Sequence, residues 1–385
     1  MPADRAPPRP CPHFAMPEHA PPAPPPILLL TCGDPAGIGP EVVALAWHAT
    51  AAHGRARLRV VADAALLAEV LATRPGLPRL VIDRVSGDDP RRSQPDRLLV
   101  IEPAAGSGQR GPIEAGVATA GGGAAAAAAV LAAADLVRGG AADAIVTGPL
   151  HKAALHAAGI DAPGHTELLA RRCGLDDSDV SMMLWLPRND GVGEGAGLGV
   201  VHVTLHESLA QAVARLSTTG IEQAGLRLAG LLGALLGRPP RIAVAALNPH
   251  GGEAGLFGDA EQRLIAPAVA RLVAAGIDAT GPLPADTLFL RASRGGFDGV
   301  VAQYHDQGHI PIKLLGMHRA VNITLGLPLV RTSVAHGTAF DIVGTGAADP
   351  ASMLAAIDAA IRLVAPRVGP PSPGETASEN APALP

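Results

Sequence analysis

Ile27-Leu28-Leu29-Leu30-Thr31-Cys32-Gly33-Asp34-Pro35-Ala36-Gly37-Ile38-Gly39-Pro40-Glu41 is the stretch on which the fold reading turns. A short apolar run with no polar alternation reads as a strand buried on both faces, and it feeds a glycine-rich turn that opens a helix. The same sign recurs at residues 57–62, 144–147, 198–204, 242–247 and 299–303. Longer Ala/Leu/Val segments at helical spacing lie between them, such as 260–274 and 353–364. The alanine run 124–129 belongs to a helix over roughly 116–137 that ends at Gly139-Gly140, rather than to a linker. Strand–helix alternation of this kind predicts an α/β protein of α/β/α lobes with mostly parallel sheets, and the chain's length makes two such lobes the expectation.

Composition sets the outer limits. The 385 residues exceed what one core usually serves, and 48% hydrophobic content allows large cores. Aromatics make up only 2%, so packing relies on Ala, Leu and Val. A net charge of −5 without a lysine-rich block argues against nucleic acid as the main partner. The three cysteines Cys11, Cys32 and Cys173 form no CxxC and suit a reducing compartment. No run of about 20 unbroken apolar residues points to a membrane span, and the proline-broken start is not a secretion signal. The cytoplasm is the expected location. Residues 1–26, with eleven prolines, and 369–385 read as disordered tails. Residues 27–368 form the catalytic region, one lobe from about 27–145 plus 300–368 and the other from 146–299. The glycine-rich 188–199 segment reads as a surface loop.

The polar residues fall where strands end. Residues 33–41 follow the first strand, Gly148-Pro149-Leu150-His151-Lys152 another, and His206, Asn248-Pro249-His250 and Tyr304-His305-Asp306 three more. Open α/β sheets bind ligands beyond the carboxyl ends of their strands, so these segments are expected to converge on one crevice. His206, His250 and His305 suit a divalent metal as three neutral imidazoles, although each is also a plausible loop or capping residue. The 33–41 turn is neither a P-loop nor a dinucleotide fingerprint; its N–H groups can face an anion, or the turn can be merely tight. Lys313, Asn322 and Arg331 sit in an apolar stretch where a buried cation calls for an anionic ligand. Asp286 can cap the helix that follows it or stand near a metal. His165 and Thr166 lie at a loop-to-helix start.

These motifs together resemble one family. The segments 33–41, 147–152, 164–167, 247–253, 281–289, 304–308 and 321–333 are similar, in order, to the 4-hydroxythreonine-4-phosphate dehydrogenases of vitamin B6 synthesis and their relatives acting on four-carbon phosphorylated sugar acids. The resemblance implies one divalent metal (Zn, Mg or Co) on His206, His250 and His305. It implies substrate contacts at His165, Thr166, Lys313, Asn322 and Arg331, and a homodimer whose active sites lie in the cleft between the lobes and draw ligands from both chains. The run His336-Gly337-Thr338-Ala339-Phe340-Asp341-Ile342-Val343-Gly344-Thr345-Gly346 is similar to the cofactor loop of isocitrate and isopropylmalate dehydrogenases, whose fold the family shares. It implies NAD or NADP at His336, Gly337, Asp341 and Gly344, without a Rossmann fingerprint. The implied reaction is oxidation and decarboxylation of 4-phosphohydroxy-L-threonine, with Asp286 or Lys313 handling the proton. His309 and the run 201–204 look closer to relatives that oxidise 4-phospho-D-threonate or 4-phospho-D-erythronate. A phosphate acyltransferase of the same fold type is the more remote alternative.

Overall fold

The computed structural model describes residues 24–104, 111–187 and 197–365; both expected tails lie almost wholly outside these, as does most of the 188–199 loop. The strands are β1 (Ile27–Thr31), β2 (Arg57–Val61), β3 (Val81–Arg84), β4 (Arg97–Ile101), β5 (Ala144–Thr147) and β6 (Ser181–Pro187). They continue as β7 (Gly197–His202), β8 (Arg241–Ala245), β9 (Asp278–Leu283), β10 (Gly299–Ala302), β11 (Val321–Leu325) and β12 (Val330–Val334). The helices are α1 (Gly39–Ala49), α2 (Ala64–Thr73), α3 (Ala120–Arg138), α4 (Lys152–Ala157), α5 (His165–Arg172) and α6 (Leu209–Arg215). After them come α7 (Thr218–Leu236), α8 (Ala266–Ala274), α9 (Ala285–Ser293), α10 (His305–Gly316) and α11 (Ala351–Val364).

The described strands make one sheet in the order β3-β4-β2-β1-β5-β12-β11-β6-β7-β10-β8-β9. Pairing is parallel from β3 to β12 and again from β7 to β9. Between those blocks, β12–β11, β11–β6 and β6–β7 are antiparallel. Three reversals leave the two parallel blocks running in opposite senses. The ends of β1 and β5 therefore leave the sheet opposite to those of β7, β8 and β10. Strand direction alone therefore does not gather the expected segments; Pro149, Leu150, Lys152 and His206 nevertheless line one cleft, while residues 33–41 and His250 stay outside its lining.

Side-chain alternation shows where the site goes. On one face, Leu28, Leu30, Leu58, Val60, Val201, Val244, Val301, Val321 and Ile323 join α1, α2, α7, α8 and α11 in a core that runs across both blocks. The other face carries two separate cores. Leu29, Val61 and Ile145 pack with α3, α4 and α5; Leu184, Val200, Ala243 and Val300 pack with α9 and α10. Between them lies a strip on β12 and β11 bearing Arg331, Ser333, Asn322 and Thr324.

Local chemistry sets the helix limits. The helix expected from residue 116 starts at Ala120, because Thr119 takes the N-cap and its hydroxyl accepts the Gly122 N–H at 3.1 Å. This α3 is long and apolar enough to cross a membrane by length and composition, yet half of its apolar window is buried against the sheet and α4. Gly33 has φ +69°, and a Cβ there would fall 2.1 Å from the Pro149 carbonyl oxygen, so glycine alone lets the turns after β1 and β5 touch.

Asp298, just before β10, fixes the second block. Its buried carboxylate accepts from the Arg241 backbone N–H at 2.9 Å and from Arg238 at 2.8 Å. Despite opposing desolvation by burial, these bonds hold its pKa well below the usual carboxylate range. Asp298→Asn is expected to cost about 2–3 kcal/mol in chemical denaturation, toward the low side for a buried pair because both guanidiniums are half exposed. The folded pKa lies below the unfolded one, so wild type holds this contribution above about pH 4 and loses it as pH falls further. A variant as stable as wild type at neutral pH would contradict the assignment.

Candidate active site

The strip floors a cleft of about 1090 Å³ lined by Lys152, His165, Thr166, His202, His206, His309, Lys313, Asn322, Arg331, His336 and Gly337, among others. All five residues implied to touch substrate meet there. The elements that bring them are the first turn of α5, the outer face of α10 and the polar faces of β11 and β12.

Arg331 dominates the electrostatics. Its side chain is 2% exposed and donates through Nε and Nη2 to the Thr147 hydroxyl at 3.1 and 2.7 Å, and through Nη1 to the Thr324 hydroxyl at 3.0 Å. No carboxylate pairs with it among the described residues. Burial pulls its pKa down to about 9, against the opposing charge of Glu167. His165 feels the same burial and then the Arg331 charge, which hold it neutral, well below the usual imidazole range. Nε2 of His165 and Oδ1 of Asn322 are buried without hydrogen-bond partners. Such groups are costly unless something else satisfies them. The cation fits an anionic group, and the orphaned acceptors beside it fit a hydroxyl or ammonium donor on the same ligand. Sequence reasoning did not single out Thr147 and Thr324; the sign was a hydroxyl residue on each strand flanking β12.

The histidines divide. His206 and His305 follow the neighbouring strands β7 and β10, and their rings lie 5.8 Å apart. The His206 pKa is lowered by burial and by the charges of Lys152 and His305. Nδ1 of His305 lies 2.6 Å from Asp306 Oδ1, which leaves Nε2 free; carboxylate-backed imidazoles of this kind are good metal ligands. His309 stacks on His305 with centroids 3.7 Å apart, its pKa pulled down to about 4 by burial first and then by the charges of His305 and Lys313. His250 sits in an exposed turn after β8 with φ 54°, and its ring neighbour is Phe257 at 6.5 Å. Among the described residues of one chain, no group of three His, Cys, Asp or Glu side chains gathers for a metal. Two of the three expected ligands meet, and the third stands apart.

Asp286 does not cap its helix, since Pro284 is the N-cap of α9 and Asp286 lies exposed in the first turn, outside the cleft lining. The 33–41 turn is a docking turn. Its Ile38 N–H donates to the Thr338 carbonyl at 3.0 Å and its Gly37 N–H to the Asp34 carbonyl at 3.0 Å, so neither N–H is free for an anion. Glu41 accepts from the Gly344 N–H at 3.0 Å and pairs with Arg74 at 3.0 Å. Arg74 also donates to the carbonyls of Pro35 and Gly37. Phe340 stacks on His151 at 4.7 Å. The loop 336–346 is thus clamped beside the cleft, with His336 and Gly337 in its lining and Asp341 exposed.

Fold and cleft define an α/β protein with a buried cation in a cleft between two packed blocks. The family model described as pyridoxal phosphate biosynthetic protein PdxA matches residues 55–360, and the chain belongs to this family. A 4-hydroxythreonine-4-phosphate dehydrogenase of Beijerinckia indica is 46% identical over 345 residues, covering 88% of this chain and 95% of that protein. A D-threonate 4-phosphate dehydrogenase of Salmonella typhimurium is 43% identical over 341 residues, covering 87% and 98%. A solved 4-hydroxythreonine-4-phosphate dehydrogenase from Klebsiella pneumoniae has a TM-score of 0.75 at 41% identity, covering 88% of this chain and 98% of that one.

Arg331→Met is expected to weaken binding of inorganic phosphate by roughly 10- to 100-fold in calorimetry, the value of a charge-assisted bond. Unchanged affinity in a folded variant would remove Arg331 from the anion site.

Proposed function

We propose that this chain oxidises and decarboxylates 4-phosphohydroxy-L-threonine to 3-amino-2-oxopropyl phosphate, using NAD or NADP and one divalent metal ion. The observation that carries the reading is the buried Arg331, bonded to hydroxyls rather than to a carboxylate, facing a cleft shared with His165, Thr166, Lys313 and Asn322. These residues hold the substrate's anionic groups and orient its carbinol. His206, His250 and His305 are the donors for the metal; the paired rings of His206 and His305, with Asp306 behind His305, support that choice. A metal held by these histidines would supply Lewis acidity at the substrate oxygens through oxidation and CO2 loss, and a bound nicotinamide would supply the hydride acceptor. Of Asp286 and Lys313, the two candidates for handling the proton, only Lys313 lines the cleft, which supports that choice. The clamped loop bearing His336, Gly337, Asp341 and Gly344 is the cofactor seat.

The isolated position of His250 supports a homodimer in which two chains complete each ligand set. α10 carries exposed Ile310, Leu314 and Leu315, with Leu314 83% exposed, and Leu256 is 76% exposed close to His250 in the chain. Apolar surface of this kind suits a second copy. Free Cys32 and Cys173 fit the reducing cytoplasm.

D-threonate 4-phosphate is the second reading, favoured by His202 and His309 in the cleft wall and by the 43% identical relative. NADH absorbance followed with each phosphorylated acid and with Zn, Mg or Co decides between them. The expected result is turnover of 4-phosphohydroxy-L-threonine, abolished by chelation and restored by metal. No NADH from any four-carbon phosphate would refute the dehydrogenase. His206→Ala and His250→Ala chains should each be inactive alone and regain partial activity as mixed dimers; no recovery would refute shared sites.

A further inference from the structure

The proposed chemistry leaves one feature of the cleft wall unused. His202 ends β7, and His309 lies on α10 four residues after His305, one turn along the same helix face. Both side chains are buried, His202 at 2% and His309 at 7% exposure. Nδ1 of His309 and Nε2 of His202 are 3.0 Å apart, so one N–H spans the two rings. The His309 ring lies flat on that of His305, 3.7 Å between centroids and 10° between planes. Gly308 makes the approach possible, because a Cβ there would fall 2.5 Å from Nε2 of His202. Helix and strand close together only over a residue without a side chain.

Asp306 fixes which nitrogen of His305 carries the proton, but one hydrogen bond to a side chain in the first turn of a helix leaves the ring free to tilt. A second ring stacked on its face and tied to the sheet removes that freedom. We infer that His309, anchored by His202, is a positioning residue that sets the plane of the His305 imidazole so that Nε2 faces a divalent cation. The inference rests on the metal reading of His305. Outer groups that orient a ligand in this way typically change metal affinity by 10- to 100-fold when removed.

The test uses the full-length protein, stripped of metal by chelation and titrated with Co2+ alone while its visible d–d absorption is followed. His309→Leu should weaken Co2+ binding by about tenfold or more and shift the band. The double variant His202→Leu/His309→Phe keeps a flat ring on His305 and leaves no orphaned nitrogen, so it should recover most of the affinity. Thermal melts establish that each variant is folded. A folded His309→Leu protein with wild-type affinity and an unshifted band would overturn the inference. A wild-type band indifferent to His305→Ala would refute the metal reading itself, and the inference with it.

Discussion

Reversal of strand direction at the centre of the sheet governs the rest of the structure. Two parallel blocks joined through β11 and β6 run in opposite senses, and each brings its own helices to one face of the sheet. Those helices cannot meet over the junction, so a strip of that face is left for polar residues. Arg331, Asn322 and Thr324 alternate there with Val321, Ile323 and Thr332, which point into the continuous core or toward α11 on the other face. A guanidinium buried among hydroxyls, with Glu167 acting on it from a distance but no carboxylate paired to it among the described residues, is a costly arrangement that a bound anion relieves. Stability and binding are therefore in tension at this point, as is usual for a site held ready for its ligand.

The two blocks share the work unequally. The first carries the 33–41 turn, where Glu41 and Arg74 pin the loop 336–346 at the cleft mouth. The second carries the histidines, and Asp298 locks the strand from which His305 emerges. The cleft draws its lining from both blocks.

How much was legible depends on what each residue's environment demands. β1, β2, β5, β7, β8 and β10 were readable because strands buried on both faces must be apolar throughout. β11 and β12 were not read as strands, since Val-Asn-Ile-Thr-Leu and Val-Arg-Thr-Ser-Val place polar residues over an uncovered strip. The same alternation made Arg331 and Asn322 conspicuous as polar residues in apolar company. His206, His250 and His305 stood out by their places after strands, but strand ends do not fix where a loop carries its side chain. The left-handed turn at His250 turned that one outward. The 33–41 turn reads equally as an anion cradle or a tight turn, and the bonds from its N–H groups to Asp34 and Thr338 favour the second. Contacts between distant loops are invisible to local pattern.

The most direct measurement compares kcat/KM for 4-phosphohydroxy-L-threonine with that for the same amino acid lacking the phosphate. A site organised around a buried cation in want of an anion should reject the unphosphorylated compound by about a thousandfold or more, because its binding energy is lost from the transition state. Comparable turnover of the two compounds would contradict the central role given to Arg331 and its strip.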